Sequence, residues 1–162
     1  GGIRNGNWTP GAEFNILVDP EAAYTVYHSG VDLQVCGLDV TERALVYPED
    51  FDRIRSLHNP IAETVAGWFD FFFIHVKSLG WAGATTHDPC AVMSLVHPEI
   101  FDIREMYVDI ELNGQYCRGA TIGDPEGKWG KKPNCRCVLD LDREKFVDYL
   151  YEVCAKYADW EV

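Results

Sequence analysis

The sequence predicts an α/β fold, a mixed sheet flanked by helices, and three observations carry that expectation. A capping residue followed by proline, the usual start of a helix, recurs at Asp19-Pro20, Asn59-Pro60 and Asp88-Pro89. Short apolar runs of strand character lie at Val31 to Cys36, Met106 to Leu112, Tyr116 to Ile122 and Cys135 to Leu141. Arg143 to Tyr157 then places Phe146, Val147, Leu150, Tyr151, Cys154 and Tyr157 on one helical stripe.

Taken in order, Gly1 to Asn15 is rich in Gly, Asn and Pro and reads as a loop. Asp19 caps a helix with Ala23, Val26 and Tyr27 on its apolar side, and Gly30 ends it. The strand Val31 to Cys36 follows, and Pro48 opens a short helix to about Leu57. Asn59-Pro60 opens a longer helix that runs to Gly80. Asp88-Pro89 opens another, which stops before His97-Pro98. Asn113-Gly114 between two strand-like runs signals a two-residue hairpin turn. There is no internal repeat, low-complexity segment or linker, so one domain is expected.

The chain has 162 residues, 47% hydrophobic and 13% aromatic, enough to bury a sizeable core. Its net charge of −12 makes nucleic acid and anionic membrane poor partners, but does not repel a neutral polyol. The longest apolar run, Phe71 to Val76, is too short to span a bilayer. Gly1 to Pro10 lacks the basic and apolar regions of a signal peptide. The six cysteines form no CxxC pair, which argues against zinc and for reduced thiols in a cytoplasmic protein. Cys135 and Cys137 share one face of a strand, which suits burial.

Two segments carry a resemblance. Gly6-Asn7-Trp8-Thr9-Pro10-Gly11-Ala12-Glu13-Phe14-Asn15, followed by Asp19-Pro20-Glu21-Ala22-Ala23, resembles the ribose-binding segment of the inosine-uridine-preferring nucleoside hydrolases. Thr86-His87-Asp88-Pro89-Cys90-Ala91 is similar to the HDPCA motif of the same family. Weaker echoes continue through Val108 to Leu112, Cys117 to Thr121 and Asp140 to Leu150, so the resemblance covers essentially the whole chain. It implies the C-terminal part of a calcium-dependent enzyme that cleaves the N-glycosidic bond of ribonucleosides. The aspartate-rich DTDPGxDDA segment, which the resemblance implies holds most of the calcium, has no counterpart here. The expectation is therefore the latter part of a longer enzyme, inactive alone, whose partner is its missing N-terminal part, and a homo-oligomer when complete.

The chemistry gives each residue a role beside a plainer one. Ribose hydroxyls need donors and acceptors, and the resemblance assigns Asn7, Glu13 and Asn15 to them; asparagines in such a loop also cap turns. Phe14 lies between two of these and would present a π face to the positive charge of an oxocarbenium-like sugar. The resemblance makes Asp88 a metal ligand, where position alone makes it a helix cap. His87 is the candidate acid toward the leaving base, against the common structural role of a lone histidine. Phe71, His75 and Leu79 lie at i, i+4 and i+8 between Trp68 and Trp81, a candidate base pocket or an ordinary core-facing stripe. The implied substrate is a ribonucleoside, uridine or cytidine ahead of purines. A non-catalytic ribosyl-binding module and a structural fragment are the competing readings.

Overall fold

The computed structural model describes residues 1–158, in two compact units: Gly1–Glu42 with His87–Leu141, and Arg43–Thr86 with the chain from Asp142 onward. Along the chain the helices are α1 (Phe14–Val18), α2 (Pro20–Tyr27), α3 (Leu38–Thr41), α4 (Pro48–Arg55), α5 (Pro60–Ser78), α6 (Asp88–Val96) and α7 (Arg143–Ala155). The strands are β1 (Gln34–Cys36), β2 (Leu45–Val46), β3 (Ala84–Thr85), β4 (Phe101–Ile110), β5 (Thr121–Asp124) and β6 (Cys135–Leu141). The α/β expectation holds. Among the described residues no helix is long and apolar enough to cross a membrane.

The first unit is built on a four-stranded sheet in the order β1-β6-β4-β5. β1 runs parallel to β6, with Gln34 opposite Arg136, and the β4 pairings with β6 and β5 are antiparallel. Alternation along β4 buries Met106, Val108 and Ile110 on one face, where they cluster with Tyr27 of α2 and with Cys135 and Cys137 of β6. The two cysteines are buried side by side as expected, and all six thiols are free. The predicted strand from Val31 shortens to Gln34–Cys36, because its pairing begins only where the Arg136 amide donates to the Leu33 carbonyl.

The hairpin after β4 is antiparallel, but its turn is not the two-residue Asn113-Gly114. Ile110 pairs with Thr121, so residues 111–120 form the connection. Glu111 takes the amides of Asn113 and Gly114 on its carboxylate, at 2.8 and 3.1 Å, which removes them from a tight turn. The backbone reverses later, at Gly119 with φ +81°, where an added Cβ would lie 3.0 Å from the Leu17 Cα.

In the second unit, α5 and α7 enclose Ile54, Ala62, Ala66 and Cys154, and Phe51 stacks on Phe69 at 5.3 Å. Arg143 at the start of α7 donates to the Asp50 carboxylate and to the Leu45 carbonyl, the latter at 2.8 Å. α7 ends at Ala155, and within its stripe Phe146, Val147 and Cys154 are buried. The α5 stripe is not core-facing: Phe71 is 80% and Leu79 64% exposed, whereas Ala62, Ala66 and Val76 turn inward.

Two consequences follow from this packing. Asn59 is buried, caps α5 by accepting the Ala62 amide at 2.8 Å, and donates to the Cys154 carbonyl at 3.1 Å. Asn59→Ala loses the cap and orphans a carbonyl, so urea denaturation is expected to show a loss of about 2 kcal/mol. An unchanged midpoint contradicts that dual role. Trp68, Phe71 and Ile74 on α5, and Val92, Leu95 and Val96 on α6, are exposed. The isolated chain is therefore expected to associate or bind an apolar dye, and a monodisperse monomer without dye binding contradicts this.

Candidate functional site

The loop before α1 is shaped by its own backbone. Gly6 donates to the Pro10 carbonyl at 3.1 Å, and Ala12 accepts from Trp8 and Thr9 at 3.2 Å. An added Cβ on Gly6 would lie 2.3 Å from backbone atoms of Thr9 and Ala12, so only glycine fits there. The Asn7 side-chain carbonyl accepts the Phe14 amide at 2.9 Å, which leaves its NH₂ group as the donor for a ligand. Trp8 supports the Phe14 ring at 5.1 Å between centroids.

Glu13 organises the end of this loop. It is buried and opens α1, accepting the Asn15 amide and side-chain NH₂ at 3.0 Å and the Ile16 amide at 3.3 Å. The Gly1 nitrogen also donates to it at 2.7 Å. Burial pushes the carboxyl pKa up, but the hydrogen bonds it accepts from the Asn15 amide, the Gly1 nitrogen and the Ile16 amide outweigh it and hold it below its usual value. Asn15, with its NH₂ engaged on Glu13, keeps its carbonyl as an acceptor. Asn7 and Asn15 thus offer opposite halves of the amide group.

On the far side of the cleft, α3 follows the end of β1. Leu38 donates to the Gly1 carbonyl at 2.8 Å, and the buried Asp39 carboxylate accepts the amides of Ile3 and Arg4 at 2.7 and 3.1 Å. Thr41 ends α3 and meets Nδ1 of His87 at 2.8 Å. His87, not Asp88, is the N-cap residue of α6, and no side-chain hydrogen bond caps that helix. Its carbonyl accepts the Cys90 amide at 3.2 Å, so the helix begins one residue earlier than the Asp-Pro pair suggests. Asp88 is an exposed first-turn residue, in contrast to Asp19, which accepts the Ala22 amide as a true cap. Desolvation by the cleft walls lowers the His87 pKa, and the charges of Asp88 and Glu13 restore only part of it.

These pieces enclose a cleft of about 360 Å³ lined by Asn7, Glu13, Phe14, Asn15, His87 and Asp88. The structure thus brings together six of the sequence-derived candidates, all within the first unit. Phe71 and His75 lie on α5 and Leu79 is its C-cap residue, in the second unit, where all three are exposed. Cys36, Gly37, Leu38, Thr41 and Ala91 complete the lining and were not anticipated. One signal could have found the first of them: ligands of open α/β sheets sit beyond the carboxyl ends of parallel strands, and Cys36-Gly37 is such an end. Among the described residues no group of three or more His, Cys, Asp or Glu side chains could hold a metal ion.

The geometry can be set beside known proteins. A family model described as inosine-uridine preferring nucleoside hydrolase matches residues 1–148, so the match runs from Gly1 and does not reach the chain's C-terminal end. Pyrimidine-specific ribonucleoside hydrolases RihA from Enterobacter sp. (strain 638) and Salmonella typhi are 44% and 46% identical over 160 residues. Each alignment covers 98% of this chain and 51% of the relative. The purine-preferring ribonucleoside hydrolase from Gardnerella vaginalis superposes with a TM-score of 0.83 at 25% identity, over 97% of this chain and 50% of that one. A plant nucleoside hydrolase superposes with a TM-score of 0.85 at 24% identity, over 96% and 51% of the two chains, and speaks for the fold. The chain spans about half the length of the curated relatives it matches. It belongs to the inosine-uridine preferring nucleoside hydrolase family.

Proposed function

We propose that this chain is the C-terminal part of a calcium-dependent nucleosidase, supplying the ribose grip, one metal ligand and the group that assists the leaving base. The single observation that carries this reading is the cleft in which Asn7, Phe14, Asn15, His87 and Asp88 meet, with Asp88 not spent on capping a helix. The Asn7 donors and the Asn15 acceptor take the ribose hydroxyls, with Glu13 beneath them holding the loop in shape. Phe14 presents its ring to the sugar as positive charge develops.

Asp88 fits calcium as a hard oxygen donor, but one carboxylate does not make the several-oxygen shell that calcium takes. The remaining ligands come, in this reading, from residues outside this chain, consistent with relatives about twice its length. When bound, calcium supplies a polarised water to attack the sugar. His87 faces the leaving base. The pyrimidine specificity of the RihA relatives supports uridine or cytidine as substrate. The six free thiols suit a reducing compartment such as the cytoplasm.

Two measurements test this. In the complete enzyme, His87→Ala is expected to cut uridine turnover roughly 10²–10⁴-fold while calcium binding persists; unchanged turnover makes His87 structural. Calorimetric titration of the isolated chain is expected to show no tight calcium binding. In the complete enzyme, Asp88→Asn should weaken calcium by at least about 10–100-fold. Micromolar binding by the isolated chain contradicts a shared metal site.

A further inference from the structure

Thr41 belongs to none of the motifs, yet it holds the residue assigned to the leaving base. Thr41 is 2% exposed, and its hydroxyl lies 2.8 Å from Nδ1 of His87. Its backbone amide is already used, donating to the Gly37 carbonyl at 3.1 Å. Among the described residues, His87 is the one hydrogen-bond partner of the hydroxyl.

The bond can run either way, since a hydroxyl carries one proton and two lone pairs. If His87 donates from Nδ1, Nε2 carries the lone pair. If Thr41 donates, Nδ1 carries the lone pair and Nε2 carries a proton. A departing base that gains an electron pair calls for the second arrangement.

We infer that Thr41 is a positioning residue that holds His87 by Nδ1 in the Nε2–H form, so that His87 assists the leaving base as a hydrogen-bond donor from Nε2. The inference rests on the reading of His87 given above and specifies how that residue works. As the N-glycosidic bond breaks and water bonds to the sugar carbon, the electron pair of the broken bond moves onto the base; the Nε2–H group stabilises that charge while keeping its proton, and the departed base takes up, through solvent, the proton that the water releases. α3 is well placed to hold such a bond, since Asp39 and Leu38 anchor it to the first residues of the chain.

The test uses the complete enzyme. Nitrogen-15 NMR of its histidines is expected to show His87 protonated at Nε2 and bare at Nδ1 near neutral pH; a proton on Nδ1 overturns the inference. Thr41→Val, which keeps the shape and removes the hydroxyl, should erase that signature and lower kcat for uridine about tenfold, with KM little changed. Thr41→Ser should restore both. A riboside whose leaving group departs without help should be cleaved equally by all three proteins. If His87→Ala slows uridine cleavage and Thr41→Val does not, the positioning role fails while the reading of His87 stands. If neither substitution slows it, both fail.

Discussion

Asp39 is 7% exposed, and its carboxylate accepts the amides of Ile3 and Arg4 in place of water. A buried charge is costly unless its lone pairs are taken up, and here backbone donors from the start of the chain take them. The result is a tie between two stretches that share no strand ladder, the first loop and α3. Leu38 adds a second tie to the Gly1 carbonyl, and Gly37 makes room for it, since a Cβ there would lie 2.7 Å from that oxygen. Through Thr41 the same short helix reaches His87, and so the loop that carries Asn7 and Asn15 is held opposite the start of α6.

The carboxylates of the first unit divide between holding the fold and facing the cleft. Glu13 and Asp39 are buried and saturated with backbone donors, and Asp19 caps α2. Asp88 is exposed at the cleft, on a helix that no side chain caps. Loss of a cap usually costs about 1 kcal/mol, so a carboxylate withheld from that duty at a helix start marks a place where another demand outweighs stability. That demand is, in this account, a metal ion.

Much of the fold was legible in the sequence because its signals are local. Proline after a capping residue marks α2 and α5 correctly, and the apolar stripe of α7 finds Phe146, Val147 and Cys154. What escaped depends on partners far away in the chain. α3 is four residues long, too short for any periodicity, and exists because Asp39 and Leu38 find the first residues of the chain. The Asn113-Gly114 turn was misread because Glu111 captures its amides, a side-chain competition that a dipeptide signal does not contain. The α5 stripe misled in the other direction: its aromatics match a core face by spacing, yet the small Ala62 and Ala66 make the contact. The residues named by motif line one cleft; Thr41, which belongs to no motif, lines it too and was not named.

The central claim is that one cleft of this chain receives the sugar, the metal and the departing base of a nucleosidase reaction. A crystal structure of the complete enzyme with calcium and a ribose-configured iminosugar, which mimics the positively charged sugar, tests it most directly. The account expects Asn7 and Asn15 on the sugar hydroxyls, Phe14 against the ring, Asp88 on the calcium and Nε2 of His87 facing the position of the base. An iminosugar bound elsewhere, or a calcium shell that omits Asp88, would contradict it.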